Sequence, residues 1–326
     1  MVASVGSAAA GPVLVTGASG FVGRALVERL LADGVPTLAA VRRAAVLPAG
    51  ARRAHAPNLG PDADWRAALE GVACVAHLAA RVHVMRDGAA DPLAEFRRVN
   101  VDGTLALARQ AADAGVHRFV FVSSVKVNGE ATAPGRPFTS DDAPAPLDAY
   151  GISKYEAEQA LRTLAAETGM QLVIVRPVLV YGPGVKANFQ SLMAWLARGW
   201  PLPLGAIHNR RSLIALDNLV DLVLTCLDHP AAAGHILLAS DGEDLSTTAL
   251  LRRLGTALGK PARLLPVPTS WLNGTARLLG RAAMAQRLCG SLQVDIGKAH
   301  DLLGWTPPVS VDEALQKTAR HFLAQR

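Results

Sequence analysis

Short apolar runs alternate with longer stretches of helical period through the first half of the chain. Val13 to Thr16 is followed by a helical pattern from Phe21 to Leu31, and further apolar runs come at Pro36 to Val41, Val72 to Leu78, Phe119 to Ser123 and Leu172 to Val175. Helical patterns at Leu93 to Ala114 and Ala149 to Ala166 separate the later runs. Continuous apolar strands interleaved with amphipathic helices predict an α/β fold, a doubly wound parallel sheet of Rossmann type with both faces covered. Beyond Arg176 the rhythm breaks, with Pro177, Gly182, Pro183, Gly184, Pro201 and Pro203 marking turns before apolar stretches at Leu213 to Leu216 and His235 to Ala239. The expected organisation is a first domain over residues 1–180, re-entered around 212–240, and a smaller C-terminal lobe from 181–211 and 241–326, with a cleft between them.

Composition narrows the class. At 326 residues and 50% hydrophobic content the chain can bury a substantial core, and with only 5% aromatic residues that core must be built from Ala, Val and Leu. Cys74, Cys226 and Cys289 are widely spaced and odd in number, which indicates neither a disulfide framework nor a zinc knuckle and points to a reducing, cytoplasmic setting. The uncharged stretch from Met1 to Val22 lacks a basic n-region and is read as a short tail leading into a strand. No other uncharged run reaches the roughly 18 residues of a membrane helix, so no membrane insertion is expected and the positive mean hydropathy is assigned to a buried sheet. On this reading the Asn273-Gly274-Thr275 sequon is unused. The net charge of +6 is spread over pairs such as Arg42 and Arg43, Arg52 and Arg53, and Arg210 and Arg211, which suits a phosphate-bearing small ligand better than nucleic acid. The nine histidines form no metal-binding spacing, and no Gly-x-Ser-x-Gly elbow occurs.

Four groups of residues carry candidate chemistry. Thr16-Gly17-Ala18-Ser19-Gly20-Phe21-Val22-Gly23 follows an apolar run and opens a helical pattern. Glycines there permit a tight turn that lets backbone N–H groups and a helix N-terminus approach a pyrophosphate, which makes the first domain a dinucleotide-binding one. An acid at the end of the second strand would bind the 2′-hydroxyl of NAD, whereas this chain has Arg42 and Arg43, whose guanidinium groups suit a 2′-phosphate. NADP(H) is therefore favoured, with NAD(H) the alternative. Tyr150 and Lys154 stand four apart on one helix face, so the ammonium is expected to lower the phenol's pKa. Ser123 and Ser124 end an apolar strand that should open into the same cleft.

With these motifs the chain resembles an extended short-chain dehydrogenase/reductase of the NAD-dependent epimerase/dehydratase family acting on nucleotide sugars. The resemblance also rests on His77-Leu78-Ala79-Ala80, Asn100-Val101-Asp102-Gly103-Thr104, Arg176-Pro177, Tyr181-Gly182-Pro183-Gly184 and Leu303-Gly304-Trp305. It implies that Ser124 holds the sugar oxygen, Tyr150 moves the proton, Lys154 orients the ribose, and a nicotinamide exchanges hydride with sugar C4. It further implies that Asn58, Leu59, Leu78, Ala79, Ala80, Asn100, Ser123 and Pro177 join the glycine-rich turn around the cofactor. On the substrate side it implies Arg81, Lys126, Asn188 and Arg211, the last on the nucleotide diphosphate. A homodimer through the helical stretches 93–114 and 149–166 is the assembly it implies.

Sugar 4,6-dehydratases of this resemblance carry Thr-Asp-Glu where this chain has Ser124-Val125-Lys126, so the extra acid and base for water elimination are missing. Redox at C4 remains. The Val127-Asn128-Gly129 segment departs from the Val-Tyr-Gly usual in 4-epimerases and, with the NADP(H) signature, tilts the expectation toward reduction of a UDP-4-keto-6-deoxy-N-acetylhexosamine for bacterial surface polysaccharide. A UDP-hexose or UDP-N-acetylhexosamine 4-epimerase is the alternative, and a non-catalytic dinucleotide-binding regulator is the alternative of another class.

Overall fold

In the computed structural model, residues 11–82, 91–133 and 135–325 are described. The expected amino-terminal tail, residues 1–10, lies outside them. The first half alternates β1 (Val13–Thr16), α1 (Phe21–Ala32), β2 (Thr37–Val41), β3 (Arg52–His55), α2 (Arg66–Leu69) and β4 (Cys74–His77). It continues through α3 (Pro92–Arg97), α4 (Gly103–Asp113), β5 (Arg118–Val122), α5 (Ala149–Thr168) and β6 (Gln171–Pro177). After β7 (Leu179–Tyr181), α6 (Ala187–Arg198), β8 (Arg211–Ala215) and α7 (Leu216–Asp228), the chain returns as β9 (Ile236–Ala239). β10 (Asp244–Leu245), α8 (Thr247–Ala257), α9 (Thr269–Leu278), α10 (Ala282–Cys289), α11 (Gly297–Leu303) and α12 (Val311–Ala324) complete it.

Seven parallel strands pair in the order β3-β2-β1-β4-β5-β6-β9, the doubly wound arrangement that the alternating pattern predicts. Strand order reverses between β1 and β4, so the carboxyl ends of these strands part to leave a crevice. α1 and α7 cover one face through Leu26, Leu30, Leu219 and Val223. α4 and α5 cover the other through Leu107, Ala111, Ala157 and Leu161. Of the segment expected to return to the sheet, β9 enters the large sheet, whereas β8 pairs with β7 and β10 in a separate three-stranded sheet. That small sheet shares its own apolar cluster with α6, α8 and α12.

Two elements differ from the sequence expectation. β3 is an edge strand whose Arg-Arg-Ala-His stretch buries only Ala54, so it carries no apolar run to announce it. The single helix expected from Leu93 to Ala114 is broken by a π-helical turn at Arg98–Asp102, which swings the Asn100 side chain inward.

Candidate functional site

The glycine-rich turn joins β1 to α1 at the crevice. Gly17 holds φ +67°, and a Cβ there would stand 2.9 Å from the amide nitrogen of Ala79 on the neighbouring strand's exit loop. A Cβ on Gly23 would stand 2.2 Å from the carbonyl oxygen of Gly17, so only glycine lets α1 start this close to the turn. At Gly20, the N-cap of α1, no side chain caps the helix, and no acid lies in the first turn. Its N-terminal N–H groups therefore face the crevice without a competing carboxylate, and the cradle fits the pyrophosphate of a dinucleotide. Ser19 and Gly20 are exposed at the tip, with Phe21 and Val22 half-buried behind them.

The exit loop of β4 is fastened from below. Thr16 Oγ1 accepts hydrogen bonds from the Leu78 and Ala79 amides at 3.1 and 3.2 Å, so its own proton is directed to His77 Nδ1 at 2.7 Å. The His77 proton is thereby placed on Nε2, which donates to Thr104 Oγ1 at 3.0 Å. Burial, with the nearby Lys154 charge, pushes this imidazole down to about 3, so it is neutral across the physiological range. Asn100 binds both backbone groups of Arg81, receiving from its N–H at 2.7 Å and donating to its carbonyl at 3.0 Å, and also donates to Ser153 Oγ on α5.

Ser124, two residues beyond the end of β5, caps a short 3-10 turn, its Oγ accepting from the Lys126 amide at 3.3 Å. The Ser124 side chain also lies near enough to the Tyr150 phenol to pull its pKa downward. Asp148 caps α5 through Gly151 N at 2.7 Å, which sets Tyr150 in the helix's first turn beneath the edge of the Phe96 ring. One turn on, the Lys154 ammonium is buried 4.0 Å from the centre of the Phe121 ring. The expected lowering of the phenol is not what the structure gives. Burial, aided by the Asp148 carboxylate, pushes Tyr150 up to about 12 against the pull of the Ser124 side chain. Burial also pushes Lys154 down to about 7, with the Glu158 carboxylate opposing that fall.

Sequence reasoning passed over Glu158 and gave Asn128 the wrong emphasis. Glu158, one turn beyond Lys154, receives hydrogen bonds from Ser123 Oγ at 2.5 Å and from Arg176 Nε at 2.9 Å. Arg176 also donates to Asn128 Oδ1 at 3.0 Å, while Asn128 Nδ2 donates to the Thr139 carbonyl. Asn128 is thus buried in the scaffold, its amide engaged by Arg176 and Thr139. The spacing of Lys154 and Glu158, four apart with an arginine ending a later strand, is the signal that could have found the pair.

The remaining positions fall as follows. Arg42 and Arg43 are exposed at the carboxyl end of β2, Pro177 is buried at the end of β6, and Ala80, Leu59 and Asn58 line the loops after β4 and β3, Asn58 exposed. Arg81 lies over the Phe96 ring, its guanidinium 3.9 Å from Glu95. Lys126 is ion-paired with Asp148 and, at 3.1 Å, with Glu130. In the smaller lobe Asn188 is exposed on the first turn of α6. Arg211 donates to the Gly290 carbonyl at 3.1 Å, and burial together with the Arg287 charge lowers its pKa.

A parallel doubly wound sheet that gathers a glycine-rich cradle, a strand-end serine and a Tyr-x-x-x-Lys helix at its switch point defines a nicotinamide-dependent short-chain oxidoreductase. The chain belongs to the NAD dependent epimerase/dehydratase family, whose sequence profile matches residues 13–239. It is 46% identical over 312 residues to UDP-glucose 4-epimerase of Vibrio cholerae, covering 95% of each chain. MoeE5, solved in complex with UDP-glucose and NAD, is 27% identical and superposes with a TM-score of 0.76 over 97% of this chain and 99% of its own. The UDP-N-acetylglucosamine 4-epimerase of Bacillus cereus shares the fold at a TM-score of 0.79 and 19% identity, over 97% and 100% of the two chains.

Proposed function

We propose that this protein is a UDP-sugar 4-epimerase, with the glycine-rich cradle holding a nicotinamide dinucleotide and the smaller lobe holding the nucleotide diphosphate. The observation that carries the reading is the Ser124, Tyr150 and Lys154 cluster at the switch point of a chain 46% identical, nearly end to end, to a UDP-glucose 4-epimerase. A nicotinamide held by that cradle would supply reversible hydride exchange with sugar C4. Ser124 and Tyr150 hold the C4 oxygen, and Tyr150 exchanges the hydroxyl proton as the alcohol becomes a ketone and reverts. Lys154 contacts the ribose and supplies the positive charge that a developing phenolate needs. Arg211 receives one phosphate, since its buried guanidinium already feels the Arg287 charge and an anion would offset both. Asn188, exposed on the first turn of α6, meets the sugar-phosphate.

Epimerisation takes precedence over the reduction that Asn128 had suggested, because that side chain is spent on Arg176 and Thr139. Loss of water from C5 and C6 is disfavoured too, with Val125 buried and Lys126 held by two carboxylates. Reduction of a UDP-4-keto sugar stays as a second reading on one observation: Arg42 and Arg43 are exposed at the end of β2, where a 2′-phosphate would lie and a dissociable NADPH would be read. One anaerobic experiment separates the two, following absorbance at 340 nm and product by NMR. Inversion of UDP-glucose or UDP-N-acetylglucosamine at C4 without net absorbance change supports the epimerase. Stoichiometric loss of NADPH with a UDP-4-keto-6-deoxy sugar, and no inversion, replaces it with the reductase.

A further inference from the structure

One long stretch of this protein carries basic residues and no acid. Residues 245–294 contain seven Lys and Arg and no Asp or Glu, so this fifty-residue segment carries +7 while the whole chain carries +6. It folds as β10's last residue, α8, α9, α10 and the stretch leading to α11. Within it α9 contains no buried residue. The segment before α9 rests on the 202–206 stretch through backbone bonds, and Thr269 Oγ1 donates to the Ala206 carbonyl, so one side of the helix leans on the lobe. Its other side carries large apolar groups: Trp271 is 72% exposed, Leu278 is 88% exposed and Leu279, at the helix end, is 73% exposed. Trp271 and Leu278, seven apart, lie on one face. Arg277 and Arg281 flank them, both exposed and, among the described residues, neither in an ion pair.

We propose that the outward face of α9 and its turn toward α10 dock this protein on an anionic phospholipid surface. An exposed Trp beside two Leu, flanked by arginines on a short amphipathic helix, is what the boundary between lipid headgroups and acyl chains selects. A second copy is a poor occupant of this face, because it would bring Arg277 and Arg281 against their own copies with no acid in either segment. A phosphate-rich polymer would answer the arginines and leave Leu278 and Leu279 without a partner. A bilayer of negative headgroups meets both demands. Docking leaves the crevice at the strand ends unaltered, so the inference is independent of which C4 reaction the site performs.

The test is co-sedimentation of the full chain with vesicles. Vesicles of phosphatidylcholine containing about 30% phosphatidylglycerol should carry the protein down at low salt, and pure phosphatidylcholine should not. High salt should release most of it. The triple variant Trp271→Ser, Leu278→Ser, Leu279→Ser and the double variant Arg277→Glu, Arg281→Glu should each lower binding about tenfold or more. Both should keep the wild-type melting temperature, since every substituted side chain is exposed. Absence of binding to phosphatidylglycerol vesicles overturns the proposal, as does equal binding to neutral vesicles or undiminished binding by both variants. Conversion of a dimer to a monomer by the triple variant, with vesicle binding unchanged, would assign the face to a second copy instead.

Discussion

Glu158 and Arg176 form a bidentate ion pair with both side chains sealed from solvent, Nε to Oε1 at 2.9 Å and the second arm at 2.5 Å. The pair joins α5, which carries Tyr150 and Lys154, to the end of β6, and through Ser123 to the end of β5, where Ser124 sits. One carboxylate therefore ties α5 and the exit of β5, which supply the reacting groups, to β6. The same carboxylate is the negative charge that works against the burial of Lys154.

Glu158→Gln should cost about 3–5 kcal/mol of stability, because it leaves a buried guanidinium without its counter-charge. It should also move the titration of Lys154 below about 7. Nicotinamide dinucleotide affinity, measured by fluorescence against pH, should then begin to weaken at lower pH than in the wild type. The pair Glu158→Leu, Arg176→Met removes both charges and should regain stability while the altered pH dependence stays; an unchanged dependence in both variants would limit the pair to a structural role.

Tyr150→Phe removes the proton carrier and keeps the ring against Phe96. Turnover should fall by about 10²–10⁴-fold with dinucleotide affinity nearly unchanged, as read by steady-state kinetics and equilibrium titration. Activity near wild type would mean that another group moves the proton.

His77 binds its proton near 6.5 in the unfolded chain and only near 3 in the folded one. Between those values the unfolded state holds the extra proton, so stability is complete above about 6.5 and declines as pH falls toward 3. The slope contributed should approach about 1.4 kcal/mol per pH unit. Urea unfolding across this range should show His77→Gln with a shallower pH dependence than the wild type.

Gly23→Ala places a methyl against the Gly17 carbonyl, where 2.2 Å is available to a Cβ. The turn must open, and dinucleotide affinity should drop by more than about tenfold while the sheet's circular dichroism is kept. Retention of full affinity would show that the turn is not the cradle.

Arg42→Ala should lower the affinity for NADPH about tenfold relative to NADH, the magnitude of one charge-assisted hydrogen bond to a phosphate. If the ratio does not move, the exposed arginines at the end of β2 do not read the ribose.

The sequence by itself determined the large sheet, because apolar strands buried on both faces and amphipathic helices write their periods directly into the chain. It also marked the glycine turn and the Ser124, Tyr150 and Lys154 candidates, since each motif is written in a few neighbouring residues. The edge strand β3 left no such pattern, for three of its four residues face water. Only the tertiary structure decided what the side chains do once brought together. Burial, which no spacing reveals, drove Tyr150 and Lys154 in directions opposite to a simple phenol and ammonium pairing. Contacts between residues as distant as Asn128 and Arg176 turned an apparent specificity residue into part of the frame, because a hydrogen bond depends on where the fold places two groups and not on the identity of either alone.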